Sequence, residues 1–224
     1  MRLGAAHIRF TQTSDGDFSP PDATDDAART ARRRSVIGDD SVGPWTWLRQ
    51  QHGREVVSVE KPGAYTGALA DAAVAFVPRA PVAVVTADCA PIVLVADDDS
   101  CVAAVHAGWR GLLLGVVDAT VAVMRARDVT TISAALGPCI HAECYEFSDG
   151  DLAPIVDALG DEVRGRTRER ATALDLPAAV RASLRANDVR LAHEEPACTA
   201  CAPGYWSHRA RADKQRQATV AWLA

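Results

Sequence analysis

The sequence predicts a mixed α/β (α+β) fold built as a single domain, residues 1–224, and three observations predict it. Apolar runs of strand length alternate along the chain with segments of helical period. Two central runs, Val82–Thr86 and Ile92–Ala96, are almost continuously apolar, the pattern of strands buried on both faces. A chain of 224 residues can bury one large core, and neither an internal repeat nor a linker interrupts it.

The elements follow in order. His7–Thr11 reads as a short strand, and residues 13–21, rich in Ser, Asp, Gly and Pro, as a loop. Asp22–Val36 has the composition of a polar helix, with Asp at its start and Arg near its end to suit the helix dipole. Val56–Val59 and Ala72–Val77 are expected strands. Val82–Thr86, Ile92–Ala96 and Cys101–Val105 follow, the last two joined by a turn at Asp97–Ser100. From Gly111 to about Arg127 a helix is expected, with Leu112, Val116, Ala119 and Val123 on one face. Ile132–Leu136 is a strand ended by Gly137-Pro138. Residues 149–188 read as helical with an interruption at Asp175-Leu176-Pro177, and Val189–Ala192 and Ala218–Leu223 as the last strands.

Composition narrows the function classes. A net charge of −5 gives no basic face for nucleic acid. No apolar stretch is long enough to span a membrane. The start, Met1 to His7, lacks the apolar run of a signal peptide, so a cytoplasmic protein is expected. Six cysteines in a chain of this length are too sparse for a disulfide scaffold. They are expected to be reduced, and therefore metal-binding, catalytic or simply buried.

Two blocks carry the chemistry: Asp88-Cys89-Ala90-Pro91 and His106-Ala107-Gly108-Trp109-Arg110-Gly111. Centring the turn between Asp98 and Asp99 pairs His106 with Pro91, which brings Cys89 within side-chain reach of His106. Either residue alone reads as a buried structural group; the pair at one sheet end, flanked by Asp88 and Arg110, reads as a site. His52, in the loop Gln50-Gln51-His52-Gly53, is a third candidate. As metal ligands, His52, Cys89 and His106 make a two-imidazole, one-thiolate set with an open fourth position, the pattern of catalytic zinc. Copper accepts the same donors, but a blue-copper centre adds an axial Met, and Met124 lies deep in a helix. As nucleophile chemistry, Cys89 is the thiolate, His106 its base, and Asp88 or a backbone carbonyl the orienter. Spacing alone does not separate the two readings.

A second group runs from His193 through Glu194, Cys198 and Cys201 to His208. It echoes the zinc deaminase signature, but its halves abut instead of lying on separate elements, so the match fails. Cys198 and Cys201 read either as thiols in an irregular loop, as a redox pair, or as a structural zinc clip with His193 or His208.

Asp88-Cys89-Ala90-Pro91, His106 to Gly111, Gly137-Pro138-Cys139-Ile140, Cys144-Tyr145-Glu146-Phe147 and Cys198-Thr199 through Ser207-His208-Arg209 resemble, in order, the signature blocks of the laccase-domain family. Its members have been described as polyphenol oxidases and as purine nucleoside phosphorylases. The resemblance spans roughly residues 45–224. Gln50-Gln51-His52-Gly53 matches a further block with Gln51 in place of Val, and Asp71-Ala72 falls where the family has an Asp-Ala pair.

The resemblance implies a sandwich of mixed sheets flanked by helices, related to a group of cysteine hydrolases. It implies His52, Cys89 and His106 as ligands of zinc, with copper as the alternative metal. The implied activity is phosphorolysis of adenosine, inosine, guanosine or methylthioadenosine to base and ribose 1-phosphate, with adenosine deamination as a side activity. Cys89, His106 and Arg110 would be catalytic, and Arg110, Tyr145, Glu146 and Arg209 would bind substrate. The implied partners are a nucleoside and phosphate, with neither nucleic acid nor membrane, and a homodimer is compatible. Three other readings stay open: a silent metal-binding or regulatory member, a copper-dependent polyphenol oxidase, and a Cys89–His106 thiol hydrolase. The chain departs from the family at Thr13–Ser19, where an Arg-x-Gly-Gly-x-Ser loop and a Ser-Leu-Asn-Leu element are expected. An arginine and an asparagine are thereby missing from the substrate side.

Overall fold

A computed structural model describes residues 1–20, 27–39 and 41–224. The chain begins with a hairpin, β1 (Arg2–Leu3) and β2 (Ala6–Phe10), and then a helix, α1 (Ala27–Ile37). Seven strands follow: β3 (Thr46–Arg49), β4 (Val56–Val59), β5 (Ala68–Leu69), β6 (Ala72–Ala75), β7 (Val82–Thr86), β8 (Ala90–Ala96) and β9 (Val102–Ala107). Helices α2 (Trp109–Leu113) and α3 (Val116–Arg125) precede β10 (Ile132–Leu136) and α4 (Asp149–Leu159). The chain closes with β11 (Arg164–Arg166), β12 (Thr172–Leu174), α5 (Leu176–Ala186), β13 (Arg190–Glu194), α6 (His208–Arg211) and β14 (Gln217–Leu223).

Two large mixed sheets stack face to face. One has the order β1-β2-β14-β7-β3-β5 and the other β13-β10-β8-β9-β6-β4. The continuous apolar runs are explained by burial on both sides. Val93 and Val95 of β8 point into the layer between the sheets, where they meet Val82 and Val84 of β7. Ile92 and Leu94 point the other way, onto a layer that includes Val117 and Val121 of α3 and Leu152 of α4. Across the sandwich, Ala83 of β7 and Trp222 of β14 pack with Phe18, Trp45 and Ile37 of α1. The order of layers is therefore helix, sheet, sheet, helices, the sandwich flanked by helices that the resemblance implies.

Several boundaries differ from the sequence expectation. The start of the first helix at Asp22 falls outside the described residues; its described part is Ala27–Ile37. The helix expected over 111–127 is two helices, because Gly115 adopts φ +79, a left-handed conformation that glycine tolerates and a continuous helix does not. The helical stretch expected over 149–188 is interrupted by a β11–β12 hairpin. Gly160, at φ +94, ends α4. Asp175 is not an interruption but the cap of α5, its side chain accepting from Ala178 N at 2.8 Å with Pro177 in the first turn. The short elements β1, β3, β5 and α6 are absent from the sequence reading.

Candidate active site

Connectivity gathers the chemistry at one end of the sandwich. Strands β3, β5 and β7 run parallel in the first sheet. Each is followed by a crossover into the second sheet, to β4, β6 and β8 respectively. His52 lies on the first crossover, Asp71 on the second and Cys89 on the third. β9 runs antiparallel to β6 and β8, so its C-terminal end returns to the same edge. The pairing of Pro91 with His106 is the one that centring the turn between Asp98 and Asp99 demands. Val102 and Ala104 face the layer between the sheets, and alternation puts His106 on that same face.

The three groups converge. His52 Nε2 lies 3.8 Å from Cys89 Sγ. The ligand atoms of His52, Cys89 and His106 all fall within 4.8 Å of one another. Gly108 passes so close that a Cβ there would stand 3.0 Å from Cys89 Sγ and 3.1 Å from His52 Cδ2, which accounts for the glycine of the His106–Gly111 block.

Asp71 organises this set, a role that sequence reasoning did not assign. Its fully buried carboxylate accepts from the backbone N–H groups of Gln51, His52 and Gly53 at 3.1, 2.9 and 2.8 Å. It also lies 2.8 Å from His106 Nδ1. Burial alone would push the Asp71 carboxyl up, but the His106 bond and these N–H donors hold it below the usual range. The carboxylate therefore stays ionised, His106 Nδ1 must be the donor, and Nε2 is left to face the site. The only sequence signal for Asp71 was the Asp-Ala pair. Asp88, the orienter expected in the nucleophile reading, does not touch His106. It sits at φ +95, and its carboxylate accepts from Thr199 Oγ1 and from Arg209 N, both at 2.7 Å. Its work is to hold the β13–β14 connection against Cys89.

Cys89 and His106 charge each other. Burial would push the Cys89 thiol up, but the His106 imidazole and then His52 more than offset it, and the pKa falls to about 6. Burial would likewise lower His106, yet Cys89 and Asp71 raise it to about 9. The metal-free pair is thus a thiolate and an imidazolium at neutral pH. Alkylation of Cys89 in chelator-treated protein is expected to rise with a midpoint near pH 6, because only the thiolate reacts. Cys101, which burial pushes up to about 11, should stay unlabelled over the same range. Peptide mass spectrometry after brief iodoacetamide pulses reads both; a Cys89 midpoint above pH 8 would contradict the pairing.

A cavity of about 610 Å³ opens over these groups, lined also by Arg110, Tyr145, His208, Arg209, Lys214 and Arg216. Arg110 is exposed and stacks on the Trp109 ring at 4.7 Å, and Trp109 in turn meets Phe147 edge to face at 5.9 Å. No carboxylate pairs with Arg110 among the described residues. The Arg209 guanidinium lies 4.9 Å from the centre of the Tyr145 ring and donates to the Glu146 carbonyl at 3.2 Å. Glu146 itself lines a neighbouring hollow with Arg110 and Arg209, not the cavity over Cys89. Lys214 and Arg216 were missed because they lie in an irregular connection with no motif. Gln50 was missed as a lining residue because its amide acts as backbone, donating to Val85 O at 2.7 Å and accepting from Val85 N at 2.8 Å.

The second cysteine group is assembled differently from expectation. His193 stacks on Phe10 and His208 lines the cavity, so neither joins Cys198 and Cys201. The groups beside those thiols are Glu143 and Cys144.

The family model described as multi-copper polyphenol oxidoreductase laccase matches residues 15–224. A purine nucleoside phosphorylase of Mycobacterium tuberculosis is 34% identical over 210 residues, covering 93% of this chain and 83% of the relative. One of Streptomyces griseus is 31% identical over 235 residues, covering 98% and 95%. The crystal structure of a Neisseria meningitidis protein of family DUF152 superposes with a TM-score of 0.81 at 26% identity, covering 99% of this chain and 95% of that one. The Bacillus licheniformis protein YfiH shares the fold, with a TM-score of 0.83 at 23% identity over 98% of this chain and 93% of that one.

Proposed function

This chain belongs to the multi-copper polyphenol oxidoreductase laccase family, and on that premise we propose that it is a metal-dependent purine nucleoside phosphorylase. One observation carries the proposal. A three-donor set and four basic side chains, Arg110, Arg209, Lys214 and Arg216, line one cavity of about 610 Å³, a size suited to a nucleoside with phosphate.

The donor set fits an ion. His52, Cys89 and His106 offer two nitrogens and a thiolate already gathered in one place. The Asp71–His106 bond is the carboxylate–imidazole arrangement that orients a metal-binding histidine. Two imidazoles and a thiolate suit zinc, with copper as the alternative. Six histidines in the whole chain are too few for a multicopper cluster. A bound ion would supply Lewis acidity beside the departing base.

The chain's own residues do the rest. The basic groups draw the phosphate dianion into the cavity, and Arg110, held over the Trp109 ring, presents its bidentate donors to it. Phosphate attacks C1′ of the ribose as the C1′–N9 bond breaks, the base leaves with the proton that the phosphate dianion brought, and ribose 1-phosphate remains as its dianion. Tyr145 lines the inner wall, and burial pushes its phenol up, so it stays neutral and keeps its hydroxyl proton. Ser19 and Pro20 reach the cavity from the N-terminal segment that departs from the family pattern. That segment brings no arginine there, and Lys214 and Arg216 offer positive charge from the opposite end of the chain.

The test is release of adenine from adenosine with phosphate present and absent, ribose 1-phosphate being quantified alongside. Release that depends on phosphate and is lost on chelation is expected; no release at any phosphate concentration would sink the proposal. Inosine and methylthioadenosine in the same assay rank substrates, and inosine formed from adenosine reads deamination. The lowered Cys89 thiol favours one competing reading, a thiol hydrolase, which predicts activity that survives chelation and dies on alkylation.

A further inference from the structure

We propose that Glu143, Cys144, Cys198 and Cys201 form a second metal centre, a structural zinc site of three thiolates and one carboxylate, separate from the His52–Cys89–His106 set. Two segments supply it. A helical turn at Ala142–Cys144 carries Glu143 and Cys144, and a tight turn carries Cys198 and Cys201 at Cys-x-x-Cys spacing. The Cys198 carbonyl closes that turn by accepting from Cys201 N at 3.3 Å and Ala202 N at 2.8 Å. The four ligand atoms lie within 4.8 Å of one another, with Cys201 Sγ 4.0 Å from Glu143 Oε1. Around tetrahedral zinc, with Zn–S near 2.3 Å, sulfurs stand about 3.8 Å apart, so a small inward rotation of side chains completes the shell.

Burial pushes the Cys198 thiol up, so it is protonated without a metal, but a backbone donor is placed for the thiolate that an ion would create. His141 N donates to Cys198 Sγ at 3.4 Å. An N–H donor directed at a sulfur stabilises negative charge there. Arg211 brings a cation against the same turn, donating to the carbonyls of Ala200, Thr199 and Tyr205 at 2.9, 3.2 and 2.6 Å. Among ions that thiolates select, a carboxylate oxygen in the fourth position favours zinc over copper(I) or an iron–sulfur cluster. On binding, three S–H groups release their protons to solvent as three Zn–S bonds form, and no redox change occurs.

The position gives the ion a purpose. Cys144 directly precedes Tyr145 of the cavity, and Thr199 between the two cysteines donates to Asp88 beside Cys89. Zinc here would clamp the connection after β10 to the one after β13, where Cys139 and Cys198 already pair and Thr199 N donates to Cys139 O at 3.0 Å.

The deciding preparation is the full chain carrying Cys89→Ser, purified with reductant and analysed for metal. One tightly held zinc per chain is expected, and none once Cys144→Ser and Cys201→Ser are added. Cobalt loading of the Cys89→Ser chain provides a second reading that needs no further variant. An intense thiolate-to-cobalt charge-transfer band, bleached by one equivalent of zinc, is expected. A Cys89→Ser chain that holds no zinc and gives no such band overturns the proposal, as does a disulfide among Cys144, Cys198 and Cys201 in the freshly reduced protein. Neither readout involves phosphorolysis, so failure of the proposed activity leaves this test intact.

Discussion

A chain carrying Cys89→Ser is expected to lose the ion at the His52–Cys89–His106 site and to release purine bases roughly 10²–10³-fold more slowly. Serine keeps the volume but not the charge: its hydroxyl stays protonated at neutral pH, whereas the Cys89 thiol ionises at about 6. The two imidazoles that remain supply no anionic donor and are too few for a stable tetrahedral site. Loss of Lewis-acid help removes several kcal/mol of transition-state stabilisation, at about 1.4 kcal/mol for each tenfold in rate. Elemental analysis with chromatographic assay of adenine release checks both halves. A variant that keeps its ion and its rate would remove Cys89 from the chemistry.

Asp71→Asn is expected to weaken metal binding by about 10–100-fold and to cost the fold about 3–5 kcal/mol. The effect is large because the Asp71 side chain satisfies three backbone N–H groups of the His52 loop and His106 Nδ1 at once. Asparagine keeps a single acceptor oxygen, and its NH₂ must then face donors. The His52 loop loses its anchor, and His106 becomes free to take the tautomer that turns the wrong nitrogen inward. Chelator competition measures the first effect and urea unfolding the second. Unchanged metal affinity would show that Asp71 is a fold residue without influence on the site.

The site was partly legible in the chain because part of it is local. Pro91 and His106 belong to one hairpin, so counting back from the turn is enough to pair them, and Cys89 follows from its two-residue offset. His52 and Arg209 are different. Nothing near them in sequence indicates which strand end they reach: His52 was a candidate on its residue type and loop alone, and only resemblance to family blocks pointed to Arg209. Asp71 was least legible of all, since a buried aspartate after a short strand looks like any turn residue until its four donors are seen. Glu146 shows the converse: it sits inside a signature block, yet it lines the hollow beside the cavity.

The same division runs through the fold. The apolar runs of β7 and β8 announced burial on both faces, because a strand's side chains alternate and each face needs its own layer. The 111–127 and 149–188 segments misled because glycine at positive φ breaks a helix that composition alone would continue, as at Gly115 and Gly160.

The mixed α/β class, the central strands and the Cys89–His106 pairing are written along the chain, since these rest on side-chain alternation and on the count across one turn. That Asp71 orients His106, that Asp88 does not, and that Glu143 and Cys144 accompany Cys198 and Cys201 emerges only once the chain is folded. Those contacts depend on crossovers between two sheets and on which loops meet at a common end. The interactions join residues tens of positions apart, with no periodicity along the chain to record them.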